Sequence, residues 1–317
     1  MKLHQLQALV AVAEAGSIRA AARMLDLSHP AVAKALRELE VESRLPLLVR
    51  TARGIDFTVQ GLRLLGHARL VVGQLERANT DLAELRGEVT GRLSIAVTPW
   101  IMMTFLPEVV LRFRERMPGV QLEVFEGLAA VALPRLREGL LDFVIGPSTS
   151  VMSDQEFASE PLLAFESCVI AARGHPSIGS TSLHELLDQD WVVNYTASSY
   201  PGVMQNLFWQ HGASIEPRHL HCTHSTALLF EMVRRAGMLS YCPRPLLVTE
   251  LMRSWVQVLP LVERFEAGQV SIIMRRSALH GAAAQCFVDC LQIEIKRGAR
   301  SAAPADRELF DLLTLLF

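Results

Sequence analysis

Apolar residues near the N-terminus recur at helical spacing in three short segments. The first begins at Leu3 and ends before Gly16, a residue type that often closes a helix. Ser17 can cap the second segment, and Ser28 can cap the third, whose first turn holds Pro30. The pattern predicts three helices within about forty residues.

The third predicted helix has two different faces. Val32, Leu36 and Leu39 fall on one side, which is apolar and suits a small core. The opposite side is small, polar and basic, and it carries Pro30, Ala33, Lys34 and Arg37. Such a face fits the major groove of DNA. Periodicity alone leaves a recognition helix and a solvated face of a small bundle as equal alternatives.

Two short strands with a basic turn follow these helices. Residues 46–50 and 55–58 have strand character, and residues 51–54 form the turn. Arg50 and Arg53 lie at its tip. A basic wing beside a helix-turn-helix commonly follows the phosphate backbone or a minor groove. The wing therefore favours DNA binding over the solvated bundle.

The charge distribution agrees with this interpretation. Residues 1–70 carry ten Lys or Arg against six Asp or Glu, so the rest of the chain is near −6 within a total of −2. An anionic polymer would bind the basic end, although an ordinary solvated surface can carry the same excess.

Several sequence features bear on location. No apolar run is long enough to span a bilayer, and the N-terminal residues lack the apolar core of a signal peptide. We therefore expect a cytoplasmic protein without membrane association. The five cysteines are odd in number and lie mainly in apolar stretches, which suits buried free thiols.

A long amphipathic segment follows Thr58, with no proline before Pro99. Its apolar residues alternate at spacings of four and three, as in a coiled-coil seam. The seam could instead pack on its own domain, but its length and flanking charges favour pairing with a second copy. About 28 helical residues span roughly 42 Å, enough to set the spacing of two recognition helices. The predicted dimer residues are Leu64, Ala68, Val71, Leu75, Ala78, Leu82 and Leu85.

The pattern changes to alternating strands and helices near residue 91. Leu93, Ile95 and Val97 open a strand after the helix-breaking Gly87 and Gly91. A helix over 100–117, a strand at 120–125, a helix over 130–138 and a strand at 142–145 predict a largely parallel sheet. Further strands are predicted at 167–172, 191–194, 219–222 and 238–242, and further helices near 203–211 and 226–236.

The N-terminal region resembles the LysR-type family of bacterial transcriptional regulators. The matching stretches are in register over most of the first 61 residues, at 6–9, 16–22, 27–32, 39–40, 47–51 and 58–61. The resemblance implies a mixed fold: an N-terminal winged helix-turn-helix, a long linker helix, and a two-lobed α/β effector domain like that of periplasmic binding proteins. In such a domain the ligand lies between the lobes.

The resemblance also implies domain boundaries. We expect the winged helix-turn-helix over 1–58, the linker helix over 59–90 and the effector-binding domain over 91–297, followed by an apolar tail over 298–317. Lobe I would comprise 91–162 and 268–297, with a strand at 270–274 and a helix over 278–296 returning to it, and lobe II would comprise 163–267. The tail is too apolar to remain in water, so we expect it to dock on its own effector domain or on a neighbouring subunit.

Two sets of site residues follow from the resemblance. The DNA-binding positions are Arg19, Ser28, His29, Pro30, Ala33, Lys34, Arg37, Arg50, Thr51 and Arg53. The effector-binding positions are Thr98, Pro99, Trp100, Ala129, Gly146, Pro147, Thr196, Ala197, Ser198, Ser199, His224 and Ser225. His29 and Ala33 stand where the family commonly has glutamine and serine. Ala33 offers a base only apolar contact, so the preferred DNA sequence is expected to differ.

The effector positions indicate a type of ligand. Several are hydroxyl groups beside backbone N–H donors expected to be free, which suits a carboxylate or sulfonate. Thr98 and Ser225 could equally be plain helix caps, and Trp100 and Tyr195 could stack on an aromatic ligand or pack in the core. The chain looks nearest to branches of the family that control aromatic sulfonate or aromatic acid catabolism. We therefore expect an aromatic or other organic anion as effector, and no cofactor.

The predicted function is effector-controlled binding of double-stranded promoter DNA. Partners would be a second copy of the chain, a tetramer being common in this family, and RNA polymerase is a further candidate. An alternative is metal or redox sensing, through the cysteines or through His219, His221, Cys222 and His224. On a strand the first two of that cluster would face away from the last two. Common catalytic motifs are absent, so we do not expect an enzyme.

Overall fold

The computed structural model describes residues 1–51, 54–86, 91–127, 129–147, 156–276 and 281–317. The chain divides into two compact units, Met1–Gly91 with Arg135–Leu141, and Arg92–Pro134 with Asp142–Phe317. The first is mainly helical, and the second is built on β-sheets. Among the described helices, none is both long and apolar enough to cross a membrane.

The first unit is a helical bundle with a two-stranded wing. Its elements are α1 (Leu3–Ala15), α2 (Ile18–Met24), α3 (His29–Ser43), β1 (Leu48–Thr51), β2 (Gly54–Phe57) and α4 (Val59–Leu85). Ser17 and Ser28 cap α2 and α3 as predicted, because their hydroxyl oxygens accept the N–H of Ala20 and Ala31 at 3.2 and 3.3 Å. The two strands of the wing are antiparallel.

Two polar side chains connect α3, the wing and α4. Glu40 on α3 accepts the N–H of Leu47 at 2.8 Å. The Thr58 hydroxyl donates to the carbonyl of Pro46 at 2.7 Å and accepts the N–H of Gly61 at 2.9 Å. A Cβ on Gly61 would lie 2.0 Å from the carbonyl oxygen of Leu47, so only glycine permits this approach. These contacts fix the direction in which α4 leaves the wing.

The first part of the predicted α4 seam packs within its own unit. Ala68 is fully buried, in one cluster with Leu65 and Val72 and with residues of α1, α2 and α3. Its side chain already contacts its own domain, which corrects its assignment to the dimer interface. Leu64 is half-buried beside the same cluster.

The later part of the seam remains uncovered. Val71, Leu75 and Leu82 are 49%, 38% and 54% exposed, and Ala78 between them is also exposed. The side chain of Leu85 lies outside the described part of the chain. An apolar stripe at heptad spacing therefore remains on the surface of α4.

The second unit carries sheets with helices packed against them. Its helices are α5 (Pro99–Thr104), α6 (Leu106–Arg116), α7 (Ala129–Arg137), α8 (Tyr200–Leu207), α9 (Thr226–Ala236), α10 (Glu250–Arg253), α11 (Ala282–Ala299) and α12 (Pro304–Phe310), with the end of α7 falling in the first unit. Its strands are β3 (Gly91–Val97), β4 (Val120–Glu126), β5 (Phe143–Pro147), β6 (Phe157–Phe165), β7 (Ser167–Ala172), β8 (Trp191–Val193), β9 (Leu220–Cys222), β10 (Ser240–Pro243), β11 (Val256–Val258), β12 (Gly268–Arg275) and β13 (Leu313–Leu315).

The first lobe of this unit is built on a six-stranded sheet, in the order β13-β6-β12-β5-β3-β4. β3 and β5 are parallel, as predicted. β12 is antiparallel to both β5 and β6, and β13 is antiparallel to β6. The sheet is therefore mixed rather than largely parallel, because β6, β12 and β13 belong to it as well.

The second lobe is built on two smaller sheets. β7 lies between β10 and β11 and is antiparallel to both. β8 and β9 form a parallel pair, and a bridge between Trp191 and Leu239 joins this pair to the segment that leads into β10. The result is the predicted two-lobed α/β domain.

The predicted helix over 100–117 is two helices in the structure. α5 ends at Thr104, and α6 begins at Leu106 with a proline in its first turn. Pro107 has no N–H to donate, and it disfavours helical backbone at the residue before it, so the turn preceding it ends one helix and begins another.

The C-terminal tail packs on its own effector domain, one of the two predicted alternatives. Leu315 lies opposite Leu163 where β13 pairs with β6. The Phe310 ring lies 5.7 Å from that of Phe105, and Leu309 is buried in the same core. Packing of these side chains against the core removes much of the apolar surface of the tail from water.

Candidate nucleic-acid interface and effector site

The recognition-helix candidate α3 has one buried and one exposed face, as predicted. Val32 and Leu39 are buried in the core of the first unit. Lys34 and Arg37 are exposed on the other face, and Lys34 Nζ lies 3.8 Å from Glu38 Oε1 one turn further on. A surface ion pair of this kind contributes little, so the lysine stays available to a phosphate.

The other predicted DNA-binding residues lie around the start of α3. His29 and Pro30 are exposed in its first turn, and Ala33 is half-buried. Ser28, also exposed, caps the helix, while Arg19 is exposed on α2 and Thr51 is exposed at the end of β1. The side chain of Arg50 and the whole of Arg53 lie outside the described residues.

In the first lobe, the predicted effector residues lie at adjacent strand ends. The N–H of Thr98 donates to the carbonyl of Ile145 at 2.7 Å, and the N–H of Gly127 donates to that of Val97 at 2.7 Å. A Cβ on Gly146 would lie 3.7 Å from the carbonyl oxygen of Gly127. The ends of β3, β4 and β5 therefore meet at one edge of the sheet. Pro147 is exposed at the end of β5, and Ala129 begins α7.

Trp100 does not line a pocket. Its side chain is 2% exposed, and its ring lies 6.4 Å from Phe105 and 5.4 Å from Phe165, within the main core of the second unit. Pro99 beside it is half-buried. The assignment of Trp100 to the effector site is therefore wrong, because its position at the start of a helix gave no information on which way the indole ring points.

In the second lobe, the predicted hydroxyl groups bind one another. The N–H of Thr196 donates to Ser199 Oγ at 2.8 Å, and the N–H of Ser199 donates to Thr196 Oγ1 at 3.0 Å. Ser198 Oγ lies 2.8 Å from Thr196 Oγ1, and Ala197 is exposed between them. This closed loop precedes α8. The N–H groups of Thr196 and Ser199 are therefore not the free donors that were expected. In local turns of this type, side-chain hydroxyl groups accept hydrogen bonds from nearby backbone N–H groups.

A second polar segment lies beside this loop. Asn194 Nδ2 donates to the carbonyl of Thr223 at 2.6 Å and lies 3.3 Å from His224 Nδ1. The pairing of β8 with β9 brings these segments together. Ser225 caps α9 by accepting the N–H of Leu228 at 3.3 Å, whereas Thr98 makes no such bond at the start of α5. Both residues occupy N-cap positions, but only Ser225 caps its helix through the hydroxyl group.

One contact joins this segment to the first lobe. The N–H of Thr226, the first residue of α9, donates to Glu126 Oε1 at 3.3 Å, and the Thr226 hydroxyl donates to the same oxygen. Glu126 ends β4 directly before Gly127. Sequence reasoning missed Glu126, although its place at the carboxyl end of a predicted strand was a usable signal. An anionic effector at α9 would have to displace its carboxylate.

The histidine and cysteine cluster has no common centre. His219 Nδ1 lies 2.7 Å from Asp190 Oδ1, and Cys222 Sγ donates to the carbonyl of Tyr195 at 3.3 Å. His221 is exposed. Across the described residues, no three side chains of the types that bind metal converge.

The buried thiols are poorly suited to redox sensing. Cys168, Cys242, Cys286 and Cys290 are buried free thiols, whereas Cys222 is exposed. Burial raises the pKa of Cys286 to about 11. A hydrogen bond with Cys168, together with burial, raises the pKa of Cys242 well above its usual value. Thiols held protonated in this way are weak nucleophiles.

Comparison with known families identifies both units. Residues 3–62 match the bacterial regulatory helix-turn-helix of the lysR family, and residues 86–295 match the LysR substrate binding domain. The chain belongs to the LysR family of transcriptional regulators. It is accordingly a DNA-binding transcriptional regulator with an effector-binding domain. That family is one of regulators rather than enzymes.

Curated relatives of this LysR-family chain are also regulators. The HTH-type transcriptional regulator TdcA of Escherichia coli K12 is 28% identical over 242 residues, which cover 76% of this chain and 77% of TdcA. The HTH-type transcriptional regulator GalR of Pseudomonas putida is 28% identical over 289 residues, which cover 91% of this chain and 72% of GalR.

Solved structures share the fold. A full-length OxyR variant from Pseudomonas aeruginosa has a TM-score of 0.68 at 17% identity, with 92% of this chain and 95% of the OxyR chain covered. The LysR-family regulator CbnR has a TM-score of 0.64 at 18% identity, with 93% and 99% covered. CbnR in complex with its target DNA has a TM-score of 0.60 at 17% identity, with 93% and 100% covered.

Proposed function

We propose that this regulator binds promoter DNA through the exposed face of α3, with α2 and the wing beside it. The observation that carries the proposal is the division of α3 into a buried apolar face and an exposed face with Lys34 and Arg37. His29 and Pro30, in the exposed first turn, would face the base edges, and the two basic side chains would bind phosphates. Arg19, Ser28, Ala33, Arg50, Thr51 and Arg53 complete the proposed surface.

Two copies would pair through the uncovered stripe of α4, formed by Val71, Leu75, Ala78 and Leu82. The stripe has heptad spacing and its three large side chains are each more than one-third exposed, which favours a partner helix over solvent. A two-fold dimer would read a roughly palindromic site. We propose further assembly into a tetramer, and RNA polymerase as a partner at the promoter.

A small-molecule effector would bind between the lobes of the second unit. The first lobe would offer Thr98, Ala129, Gly146 and Pro147, and the second lobe would offer the Thr196–Ser199 loop with His224 and Ser225. Adjacent strand ends and the loops that follow them are where ligands commonly bind in α/β folds. Bound effector would then change the affinity of the full-length dimer or tetramer for its site.

Selection from random DNA tests the DNA-binding part of the proposal. The purified full-length chain is incubated with a random duplex library, and enriched sequences are retested by footprinting at controlled salt. We expect a two-fold symmetric site. Lys34→Ala and Arg37→Ala should each weaken binding about equally for all sequences and lower the slope of log affinity against log salt by about one. Arg114→Ala, at an exposed position of α6, removes the same charge and should leave both quantities unchanged.

The same selection tests the two departures from the usual family pattern. His29→Gln and Ala33→Ser should each change the enriched base at one position per half-site, because they exchange the hydrogen-bonding groups offered to the major groove. Enrichment of no sequence, with weak binding both in the presence and in the absence of cell extract, would contradict the proposal.

A further inference from the structure

The contact between Glu126 and Thr226 connects the two lobes through side chains that are far apart in sequence. Two donors of Thr226, its N–H and its hydroxyl, bind the same carboxylate oxygen. Thr226 is the first residue of α9, where N–H groups have no partner within the helix and a negative charge is favoured. The carboxylate of one lobe therefore satisfies the helix terminus of the other.

The backbone at each end of this contact is fixed within its own lobe. Glu126 precedes Gly127, and a Cβ on Gly127 would lie 2.7 Å from backbone atoms of Val97, so this end of β4 is pressed against β3. α9 is anchored by Leu229 and Val233, both buried in the second lobe. Because the backbone at each end of the contact is fixed within its own lobe, the contact forms in one arrangement of the lobes and breaks when that arrangement changes.

The contact differs from the covalent and apolar connections between the lobes. β6 runs directly into β7, and one apolar core contains both Trp100 of the first lobe and Ile170 of β7, so the chain and this core join the lobes there. Glu126 is exposed and Thr226 is only half-buried, so water competes for their hydrogen bonds. Such a bond shifts an equilibrium by about three- to tenfold, which a ligand can offset.

We propose that Glu126 and Thr226 form a latch that holds the lobes together in the effector-free regulator, and that the effector acts by breaking this latch. The inference rests on the proposed effector site between the lobes. Opening of the latch would change the arrangement of the lobes and, through it, the DNA-binding state of the full-length protein. The latch uses residues of both lobes and no residue of the DNA-binding unit.

Hydrogen exchange measured by mass spectrometry tests the latch without any DNA or effector. The full-length protein is compared with Glu126→Ala, Thr226→Val and Thr226→Ser, on a peptide that spans residues 222–230. Glu126→Ala and Thr226→Val should speed exchange at the start of α9 by about three- to tenfold, since they remove the acceptor or the hydroxyl donor. Thr226→Ser keeps both donors and should match the parent protein. Glu115→Ala, at an exposed position of α6, controls for loss of a carboxylate and should also match it.

The regulatory consequence is measured with the duplex enriched by the selection described above. Glu126→Ala and Thr226→Val should change its affinity or footprint in the same direction, by about threefold or more, while Thr226→Ser and Glu115→Ala leave it unchanged. Equal exchange at the start of α9 in the parent and Glu126→Ala proteins would overturn the latch. Faster exchange with unchanged DNA binding would overturn its regulatory role alone. Failure to enrich any duplex would count against the proposed DNA binding, while the exchange result would still decide on the contact.

Discussion

The two lobes hold their predicted effector residues in opposite ways. In the first lobe, Thr98 is 8% exposed, Gly146 is buried, and neighbouring strands hold both through the backbone. In the second lobe, Thr196 and Ser199 lie in a partly exposed loop whose hydroxyl groups bind its own backbone. The effector residues of the first lobe are therefore held by the packed sheet, and those of the second lobe are held by hydrogen bonds within their own loop. Substitutions in the first lobe should therefore lower the free energy of unfolding, whereas those in the second lobe should have small, local effects.

The largest contrast should appear between two tryptophans. Trp100→Ala should lower the free energy of unfolding of the second unit by about 3–5 kcal/mol, because it leaves a cavity among buried rings. The side chain of Trp209 in the second lobe is 44% exposed, so Trp209→Ala should lower the free energy of unfolding by less than about 1 kcal/mol. All four tryptophans lie in the second unit, so intrinsic fluorescence during denaturant unfolding of the full chain reports on that unit.

An unchanged unfolding midpoint for Trp100→Ala would place its ring in a solvent-filled pocket and would restore its predicted role in the effector site. The contrast between the lobes would then be lost at this position.

Two glycines provide a smaller contrast. Gly127→Ala in the first lobe should destabilise the second unit by about 2–3 kcal/mol, because the new Cβ meets the backbone of Val97 rather than a flexible side chain. Gly202 lies in α8 of the second lobe, and a Cβ added there would have no neighbouring atom within 4 Å. Gly202→Ala should be neutral or stabilising by about 0.5 kcal/mol, since alanine favours helix. The same fluorescence measurement compares them, and equal destabilisation by both would contradict the difference in packing.

The smallest effect concerns a carboxylate of the second lobe. Burial raises the pKa of Glu263, but hydrogen bonds from the Leu183 N–H at 2.8 Å and the Ser182 hydroxyl at 3.0 Å outweigh it, so the pKa lies below its usual value. A lowered pKa in the folded state stabilises the fold above the unfolded pKa, and this stabilisation is lost as pH falls through the folded value. Glu263→Gln should therefore cost about 1–2 kcal/mol at neutral pH.

Unfolding of the parent and Glu263→Gln proteins from about pH 7 down to about pH 3 checks this sign. The difference in free energy of unfolding between the two proteins should shrink only below the usual pKa of glutamate, near 4.5. Glu266→Gln, at an exposed position nearby, should make less than about 0.5 kcal/mol of difference at any pH. If the difference in free energy of unfolding between the parent and Glu263→Gln proteins instead grows toward low pH, the hydrogen-bonding explanation is contradicted.

Elements with a strong local signal were predicted from the sequence, and those that depend on distant neighbours were not. β7 spans Ser167–Ala172 and α9 spans Thr226–Ala236, as predicted, because one is a continuous apolar run and the other has a capping serine. β6 was missed because Pro161 interrupts its pattern. In the structure Pro161 lies opposite Ser271, where the register between β6 and β12 shifts.

The candidate sites show the same limit. The exposed face of α3 could be predicted from helical periodicity. Val32 and Leu39 fall on the buried side of the helix, so Lys34 and Arg37 fall on the opposite, exposed side. Which way Trp100 points, and the partner of Glu126, depend on residues brought close only by the fold. Local spacing carries no information on either.

The position of β13 in the sheet has a consequence for synthesis of the protein. β12 lies between β5 and β6, and β13 covers the far edge of β6, although both come from the last fifty residues of the chain. β7 to β11 of the second lobe are all made earlier. During translation the second lobe can therefore fold while the first still lacks a central strand and has an open edge. The first lobe is complete only after β13 has been made, so its sheet closes about 220 residues after β3 begins it.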